Sequence, residues 1–405
     1  MLISTESAIF WSYVLSGPFG WALYGLGMHC GRRRLSLLER DAYELARPEP
    51  RVTILIPAKD EGEPVRACLE SALGQDYPNF EILAIDDRST DNTGAIMDEL
   101  AAANPGRMRV LHIPPGQIPS GWTGKNNALF TGLKTVDSDY FLFVDSDVIL
   151  QPAALRRTMA YSTSTGYGLV SLLLRLECRT FWEELLMPLA GAGVIGLLWV
   201  GWANNNHLPR IAFANGQYML LRRDTYHALG THAAVRSAVS EDVEMARLAK
   251  ARGLMPRIAW GTELAAVRMY ASLPKLIRGW ARNYFGCCHG SAWPTLLGIA
   301  FLLLCCFSVY PAMAFAIYHA AIAAPPLSPI GWGIASSIHL GLMTHFLGKS
   351  YQWSGNPRWL AWLFPVGGAL LLWIFALALT LCVTRTVEWR GDRFQVPSHP
   401  RPQPG

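Results

Sequence analysis

Tyr140-Phe141-Leu142-Phe143-Val144-Asp145-Ser146-Asp147 is the stretch that decides the fold of the middle of this chain. Five consecutive apolar residues that end at a pair of acids are typical of a strand buried on both faces of a parallel sheet. Three similar runs precede it, at Val52–Pro57, Phe80–Ile85 and Met108–Ile113. Stretches with helical periodicity separate these runs, at Pro64–Leu73, Thr93–Ala103 and Lys125–Thr135. The alternation predicts an α/β fold with a parallel sheet covered by helices.

Acidic side chains follow three of the four predicted strands. They are Asp60 and Glu61 after the first strand, Asp86 and Asp87 at the end of the second, and Asp145 and Asp147 after the fourth. The carboxyl ends of parallel strands meet at one edge of the sheet. We therefore expect the functional residues to lie in the loops at that edge.

Asp145 and Asp147 are two carboxylates that are two residues apart at a strand end. Oxygen ligands of this kind suit a hard divalent cation, so the triplet predicts a Mg²⁺ or Mn²⁺ site with positions open for phosphate oxygens. Such an ion would offset the negative charge that builds on a departing diphosphate. The triplet also suits an ordinary turn after a strand, because Asp is common in turns.

Two further acidic segments are candidates for chemistry. Asp87 can accept hydrogen bonds from a ribose or base, as an acid at a strand end does in other nucleotide-binding folds. Ser240-Glu241-Asp242 precedes the helical pattern Val243–Ala251. Glu241 and Asp242 suit the positive end of that helix, and one of them can also serve as a general base.

The composition indicates a membrane protein, because 51% of the residues are hydrophobic and 16% are charged. Ala8–Gly27 is long enough to cross a bilayer, and the basic residues Arg32–Arg34 that follow it favour a cytoplasmic flank over a secretory signal. Three later apolar runs occur at Trp293–Ala321, Gly331–Leu347 and Leu360–Val383. The last run contains Pro365, and a reversal within the membrane is an alternative to a full crossing there.

These patterns predict five segments along the chain. They are an N-terminal membrane helix (1–30), a basic cytoplasmic linker (31–50), a catalytic domain (51–292), a C-terminal membrane region (293–383) and a basic, Pro-rich tail (384–405). Leu185–Ala203 is almost uncharged, and it predicts an amphipathic or partly inserted element. The net charge of +5 indicates attraction to a membrane surface and not to nucleic acid. The eight cysteines contain no CxxC pair, so neither a zinc site nor a disulfide framework is indicated.

Arg278-Gly279-Trp280-Ala281-Arg282 lies just before the second membrane region. An Arg can clamp a diphosphate, and a Trp can stack on a sugar or on the acceptor. Arg and Trp also form interfacial belts at the lipid boundary. We expect both roles in this segment.

The order of these motifs resembles the family 2-type glycosyltransferases with a GT-A fold, from about Val52 to Tyr284. Four segments carry the resemblance: Ile54–Glu61, Asp86–Asp91, Asp145-Ser146-Asp147 and Glu241-Asp242. The resemblance implies a Rossmann-like GT-A domain flanked by transmembrane helices, at the inner or plasma membrane with the catalytic domain in the cytoplasm.

The resemblance also implies a metal-dependent, inverting transfer from a nucleotide sugar, expected to be a UDP-sugar. Its implied residues are Asp242 as the base with Glu241 beside it; Arg278, Trp280 and Arg282 at the diphosphate and acceptor; Asp60, Glu61, Asp87, Lys125 and Asp145 around the donor; and Asp145 and Asp147 at the metal. Lys125 has two interpretations, because it can contact the donor phosphates or simply begin a helix beside them. Arg278 and Arg282 do not have the spacing of the family's Gln/Arg-x-x-Arg-Trp motif, which leaves open which Arg meets the diphosphate.

Three shorter segments resemble the hopanoid-associated and ceramide-glucosyltransferase-like branch. They are Gly121–Ala128, Phe213–Gln217 and Trp389-Arg390-Gly391. That branch implies a lipid acceptor of hopanoid, sphingolipid or carotenoid type, surrounded by membrane lipids. The alternatives are a polyprenyl-phosphate sugar synthase, a processive polysaccharide synthase and a non-catalytic membrane scaffold. The few membrane segments favour a single transfer over polymer synthesis.

Overall fold

The structure is a computed structural model that describes residues 5–38, 43–116, 118–322, 327–389 and 392–396. It forms two compact units. The helical unit comprises Met1–Arg33, Cys178–Leu197 and Tyr270–Cys382, and the α/β unit comprises Arg34–Glu177, Leu198–Met269 and Val383–Gly405. Residues of the predicted catalytic range 51–292 occur in both units, and the expected domain boundaries stay a prediction. Arg390 and Gly391 of the C-terminal motif, and the tail from 397 onward, lie outside the described residues.

The described residues form twelve strands, all in the α/β unit. They are β1 (Val52–Ala58), β2 (Phe80–Asp87), β3 (Met108–Ile113), β4 (Tyr140–Val144), β5 (Val148–Leu150), β6 (Leu169–Leu173), β7 (Arg175–Leu176), β8 (Tyr218–Arg222), β9 (Arg257–Trp260), β10 (Ala265–Val267), β11 (Thr386–Trp389) and β12 (Asp392–Gln395).

Among the described residues, two α-helices precede β1, the next ones alternate with the strands, and the last five follow one another between β10 and β11. The α-helices are α1 (Thr5–Val14), α2 (Gly20–Arg32), α3 (Glu63–Leu73), α4 (Thr93–Ala103), α5 (Gly124–Leu133), α6 (Ala154–Thr165), α7 (Phe181–Leu197), α8 (Arg223–Ala228), α9 (Glu241–Ala251), α10 (Leu273–Cys287), α11 (Ala292–Phe301), α12 (Val309–Ala321), α13 (Leu327–Trp353) and α14 (Phe364–Thr384).

The central sheet has seven strands in the order β3-β2-β1-β4-β8-β6-β9. The strand pairs β1–β2, β2–β3, β1–β4 and β6–β9 are parallel, whereas β8 is antiparallel to both of its neighbours. The expected α/β fold with a mostly parallel sheet is confirmed. A second sheet of three strands, β5-β10-β7, and the hairpin β11–β12 complete the α/β unit.

Strand β1 shows why the sheet needs helices on both faces. Successive side chains of a strand point to opposite faces. Ile54 and Ile56 belong to one buried cluster and Leu55 to another, and all three are 0% exposed. The two clusters lie on the two faces of the sheet, so a continuous apolar run is needed in place of an alternating one.

The helical unit contains the predicted apolar segments as helices. Two stretches among the described residues, Ala292–Ala321 and Arg358–Thr384, are long and apolar enough to cross a membrane by length and composition. Within the second stretch a 3₁₀ helix, Arg358–Leu363, continues directly into α14. The alternative of a reversal near Pro365 is therefore wrong, because this residue lies in the first turn of α14, where proline is well tolerated.

Leu55→Ala is expected to destabilise the α/β unit by about 2–5 kcal/mol, because a cavity would replace a fully buried side chain in β1, an interior strand of the sheet. Thermal unfolding of the purified protein in detergent would measure the loss as a lower midpoint. Met255→Ala is the control, because Met255 is 48% exposed and truncation there should change stability by about 0.5 kcal/mol or less. Equal midpoints for the two variants would contradict this assignment of the core.

Candidate active site

The end of β4 is the centre of the candidate site. The N–H of Asp145 donates to the carbonyl of Gln217 at 3.3 Å, which continues the pairing of β4 with β8. The hydroxyl of Ser146 donates to Oε1 of Glu61 at 3.0 Å. The loops after β1 and β4 and the residues before β8 therefore meet at the carboxyl edge of β4, where the acids were expected to gather.

Lys125 joins two of the predicted acids. Its Nζ lies 2.6 Å from Oδ1 of Asp145 and 2.8 Å from Oε1 of Glu241. Burial lowers the pKa of Lys125, but the charges of Asp145 and Glu241 outweigh that effect and raise the pKa well above its usual range. The ammonium is therefore charged, and it links the end of β4 to the first turns of α5 and α9.

Asp242 is held by backbone amides. Its Oδ2 accepts a hydrogen bond from the N–H of Gly216 at 2.6 Å, and its Oδ1 accepts one from the N–H of Val243 at 2.8 Å. Burial, and then the charge of Glu241, raise the pKa of Asp242 to about 7. A carboxyl group with a pKa near neutrality is suited to accept a proton in a reaction at physiological pH.

Gly216 lets Asp242 approach the backbone closely. A Cβ atom at position 216 would lie 3.0 Å from Oδ2 of Asp242 and 3.2 Å from its Cγ. A side chain at this point would therefore crowd the carboxylate of Asp242, which would have to shift by a few tenths of an ångström. Gly216 was quoted in the sequence as part of a motif, but its contact with Asp242 was not foreseen.

Asp147 is the carboxylate whose surroundings most favour a cation. Its Oδ1 is buried and has no hydrogen-bond partner among the described residues. Burial, followed by the charges of Asp145 and Glu61, raises the pKa of Asp147 to about 8. A divalent cation would neutralise this concentration of negative charge, so the side chains present fit one.

The protein alone does not form a closed metal site. Among the residues that the structure describes, no group of three or more His, Cys, Asp or Glu side chains is arranged to hold a metal ion. Mg²⁺ is commonly held by one or two carboxylates, with substrate phosphates and water completing its ligands. Asp145 and Asp147 could supply two carboxylates of that kind, and their role as metal ligands stays a prediction.

The loops after β1 and β2 are tied together by hydroxyl groups. The backbone N–H groups of Glu61 and Gly62 both donate to Oγ1 of Thr93 at 2.9 Å. Oδ1 of Asp60 accepts hydrogen bonds from the backbone N–H and the hydroxyl of Thr90. Thr93 begins a predicted helix, and its link to Glu61 was not predicted because hydroxyl-to-backbone contacts across loops leave no spacing signal.

Asp87 contacts a neighbouring cation. Its two carboxylate oxygens lie 2.8 and 3.0 Å from the guanidinium nitrogens of Arg88, and its side chain is 3% exposed. The pair is bidentate, which is a strong form of ionic hydrogen bond. The predicted role of Asp87 in binding the nucleotide stays a prediction.

Arg278, Trp280 and Arg282 lie on α10 of the helical unit. Trp280 is 6% exposed, and its indole N–H donates to Sδ of Met187 at 3.2 Å. Arg278 is exposed and Arg282 is half-buried. The predicted contacts of these three residues with a diphosphate or an acceptor stay predictions.

A solved structure and a curated protein are similar to this chain. The mannosyltransferase PcManGT from Pyrobaculum calidifontis, solved in complex with GDP-Man and Mn²⁺, has a TM-score of 0.52 at 16% identity, over 93% of this chain and 99% of that one. At this identity the likeness shows the fold alone. The 4,4'-diaponeurosporenoate glycosyltransferase of Staphylococcus aureus (strain MRSA252) is 25% identical over 240 residues, which are 57% of this chain and 60% of that relative.

A family model covers almost the whole sequence. It matches residues 19–401 and is described as glycosyl transferase family 21. The predicted membership of a glycosyltransferase family with a GT-A-like fold is thereby confirmed. This chain belongs to glycosyl transferase family 21.

Proposed function

We propose that this glycosyltransferase transfers a sugar, with inversion, from a nucleotide-diphosphate sugar to a hydroxyl group of a lipid at the cytoplasmic face of the inner or plasma membrane. The observation that carries the proposal is the group of charges around the end of β4. Lys125 contacts both Asp145 and Glu241, Asp147 has a buried oxygen without a partner among the described residues, and Asp242 follows Glu241 directly.

Asp242 is the proposed general base. Each of its oxygens accepts one backbone hydrogen bond, which fixes the orientation of the carboxylate and leaves lone pairs for a further contact. An acceptor hydroxyl that donates to this carboxylate would lose its proton as its oxygen attacks the anomeric carbon. The bond to the nucleoside diphosphate breaks on the opposite side, so no covalent enzyme intermediate is needed.

The departing diphosphate is the second charge that the site must accommodate. A divalent cation held by Asp145 and Asp147, Mg²⁺ or Mn²⁺, would supply Lewis-acid stabilisation of that leaving group. Lys125 lies beside Asp145, so its ammonium group is the proposed cationic contact of the donor phosphates within the α/β unit. Arg278 and Arg282 are the proposed guanidinium contacts, and Trp280 belongs to the same proposed acceptor region.

The loops after β1 and β2 form the proposed nucleotide site. Glu61 and Asp60 are held by Thr93 and Thr90, so they give this loop a fixed shape beside the Asp145 triplet. Asp87 is proposed to act on the nucleotide while its carboxylate is oriented by Arg88. The GDP-Man and Mn²⁺ named for PcManGT support a nucleotide-sugar donor and a divalent ion, and a UDP-sugar is our proposed donor.

A lipid acceptor is supported by two independent observations. The Staphylococcus aureus relative is named for a carotenoid acid, 4,4'-diaponeurosporenoate. The two apolar stretches Ala292–Ala321 and Arg358–Thr384 would hold the enzyme at the bilayer where such acceptors reside. The proposed acceptor is a hopanoid-, sphingolipid- or carotenoid-like lipid, and the basic residues Arg32–Arg34 would lie on the cytoplasmic side.

Asp242→Asn is expected to lower kcat about 10²- to 10⁴-fold, because the amide keeps the shape of the side chain but cannot accept the hydroxyl proton. Transfer would be measured in detergent with a panel of nucleotide sugars, membrane lipid extract and Mn²⁺. Asp98→Asn is the matched control. The side chain of Asp98 is 61% exposed, and its polar contact within the described residues is with His112.

The acceptor panel separates the proposal from its rivals. A polyprenyl phosphate is already ionised, so a synthase that uses it would keep most of its activity in Asp242→Asn. A wild-type protein that is inactive with every donor, even with membrane lipids supplied, would favour a non-catalytic scaffold.

The rate is also expected to depend on pH through Asp242. Because burial and then Glu241 raise its pKa to about 7, the ionised form that accepts a proton is lost as the pH falls through 7. We expect kcat/KM to fall about tenfold per pH unit below that value and to reach a plateau above about pH 8. A pH–rate profile checks this. Residual activity of Asp242→Asn should lack the acid limb, and the same limb in both proteins would exclude Asp242 as its source.

A further inference from the structure

Lys125 lies where it competes with a cation for Asp145. Its Nζ is 2.6 Å from Oδ1 of Asp145, one of the two carboxylates proposed to hold the divalent ion. An ammonium group and a divalent cation repel each other when they share a carboxylate. Metal binding at Asp145 would therefore be opposed for as long as Lys125 keeps this contact.

The backbone that carries Lys125 is fixed. Nδ2 of Asn126 donates to the carbonyls of Val235, Arg236 and Ala238. The N–H of Thr123 also donates to the carbonyl of Arg236, at 2.8 Å. These bonds tie the start of α5 to the segment that leads into Glu241. Any change in the contacts of Lys125 must therefore come from its flexible four-carbon stem.

The two carboxylates that hold Lys125 differ in exposure. The side chain of Asp145 is 29% exposed and that of Glu241 is 8% exposed, while Lys125 itself is 21% exposed. The contact with Asp145 is thus open to an incoming ligand, whereas the contact with Glu241 is deep. A phosphate group that reaches this contact can pair with the ammonium group of Lys125, which is itself 21% exposed.

We propose that Lys125 is a built-in counter-ion that occupies Asp145 until the donor's diphosphate draws it away, so that the divalent cation binds together with the nucleotide and not before it. This inference rests on the proposed function, because it assumes a nucleoside diphosphate and a divalent ion at this site. Lys125 would remain near Glu241 when it leaves Asp145. In the resting protein it would prevent a free metal ion from filling the site alone.

The alternative is that Lys125 is a structural strut that organises Asp145 and Glu241. The two hypotheses predict opposite changes in metal affinity when Lys125 is removed. If Lys125 competes with the ion, then its removal strengthens metal binding in the absence of nucleotide. If Lys125 organises the carboxylates, then its removal weakens metal binding, because Asp145 would lose the contact that holds its carboxylate in position.

The test is a pair of titrations on full-length protein in detergent. Mn²⁺ binding without nucleotide is followed by the EPR signal of the free ion, and UDP or GDP binding without metal is followed by calorimetry in the presence of a chelator. For Lys125→Met we expect Mn²⁺ to bind roughly tenfold more tightly and the nucleoside diphosphate roughly tenfold more weakly, a size usual for linked sites. Unchanged or weaker Mn²⁺ binding, or unchanged nucleotide binding, would overturn the proposal.

Two further variants complete the test. Lys134→Met, at the other end of α5, removes an ammonium group that lies 4.3 Å from the centre of the Phe130 ring, and it should leave both affinities unchanged. Lys125→Arg keeps the positive charge at this position, so it controls for any folding defect of Lys125→Met. It is expected to bind Mn²⁺ no more tightly than wild type, and tighter binding would refute competition by charge. A wild-type protein that binds neither Mn²⁺ with nucleotide nor nucleotide alone would refute the proposed function itself.

Discussion

The end of β4 is organised by the pairing of Lys125 with Asp145 and Glu241, because this contact joins the end of one strand to the beginnings of two helices. Withdrawal from water is costly for a charged group unless it is paired, which is why Glu241, whose side chain is 8% exposed, lies against Lys125. The same burial raises the pKa of Asp147 and of Asp242, where neighbouring carboxylates add to the effect. The fold thus gathers more carboxyl groups at this edge than Lys125 alone can pair with, which is why the proposed function places a divalent cation and a diphosphate here.

The first half of the sheet could be predicted closely from the sequence, and the second half could not. β3 and β4 have the predicted bounds, and β1 and β2 extend one and two residues beyond them. β1 and β4 are buried on both faces, so they appear as continuous apolar runs between helices, and β2 and β3 appear as largely apolar runs in the same alternation with helices. β6, β8 and β9 are four or five residues long, and β8 reverses direction beside β4. Such pairing depends on contacts distant in sequence, and no local periodicity reports it.

The candidate site shows the same division between local and distant signals. The positions of Asp145 and Glu241 could be predicted, because acids after strands and at helix starts are visible in the sequence. Their common partner Lys125 could not be assigned, because the turn before α5 and the segment before α9 are more than a hundred residues apart. The contact between Asp242 and the N–H of Gly216 involves a backbone group, so no side-chain type could indicate it.

In the helical unit, hydropathy alone identifies only some of the predicted membrane segments. The helical stretch Thr5–Arg32 and helix α13 are less apolar than the two stretches that satisfy a test of length and composition. Their polar groups bind one another: the hydroxyl of Tyr13 lies 3.0 Å from Nδ1 of His339, and Nε2 of His339 lies 2.9 Å from the carbonyl of Cys305. Because that carbonyl can only accept, Nε2 carries the proton and Nδ1 accepts from Tyr13. The indole N–H of Trp21 donates to the same carbonyl, which belongs to the π-helical turn Leu302–Phe307. Polar groups satisfied in this way can lie in hydrocarbon without water, so the lower hydropathy of these helices is no argument against the predicted membrane segments.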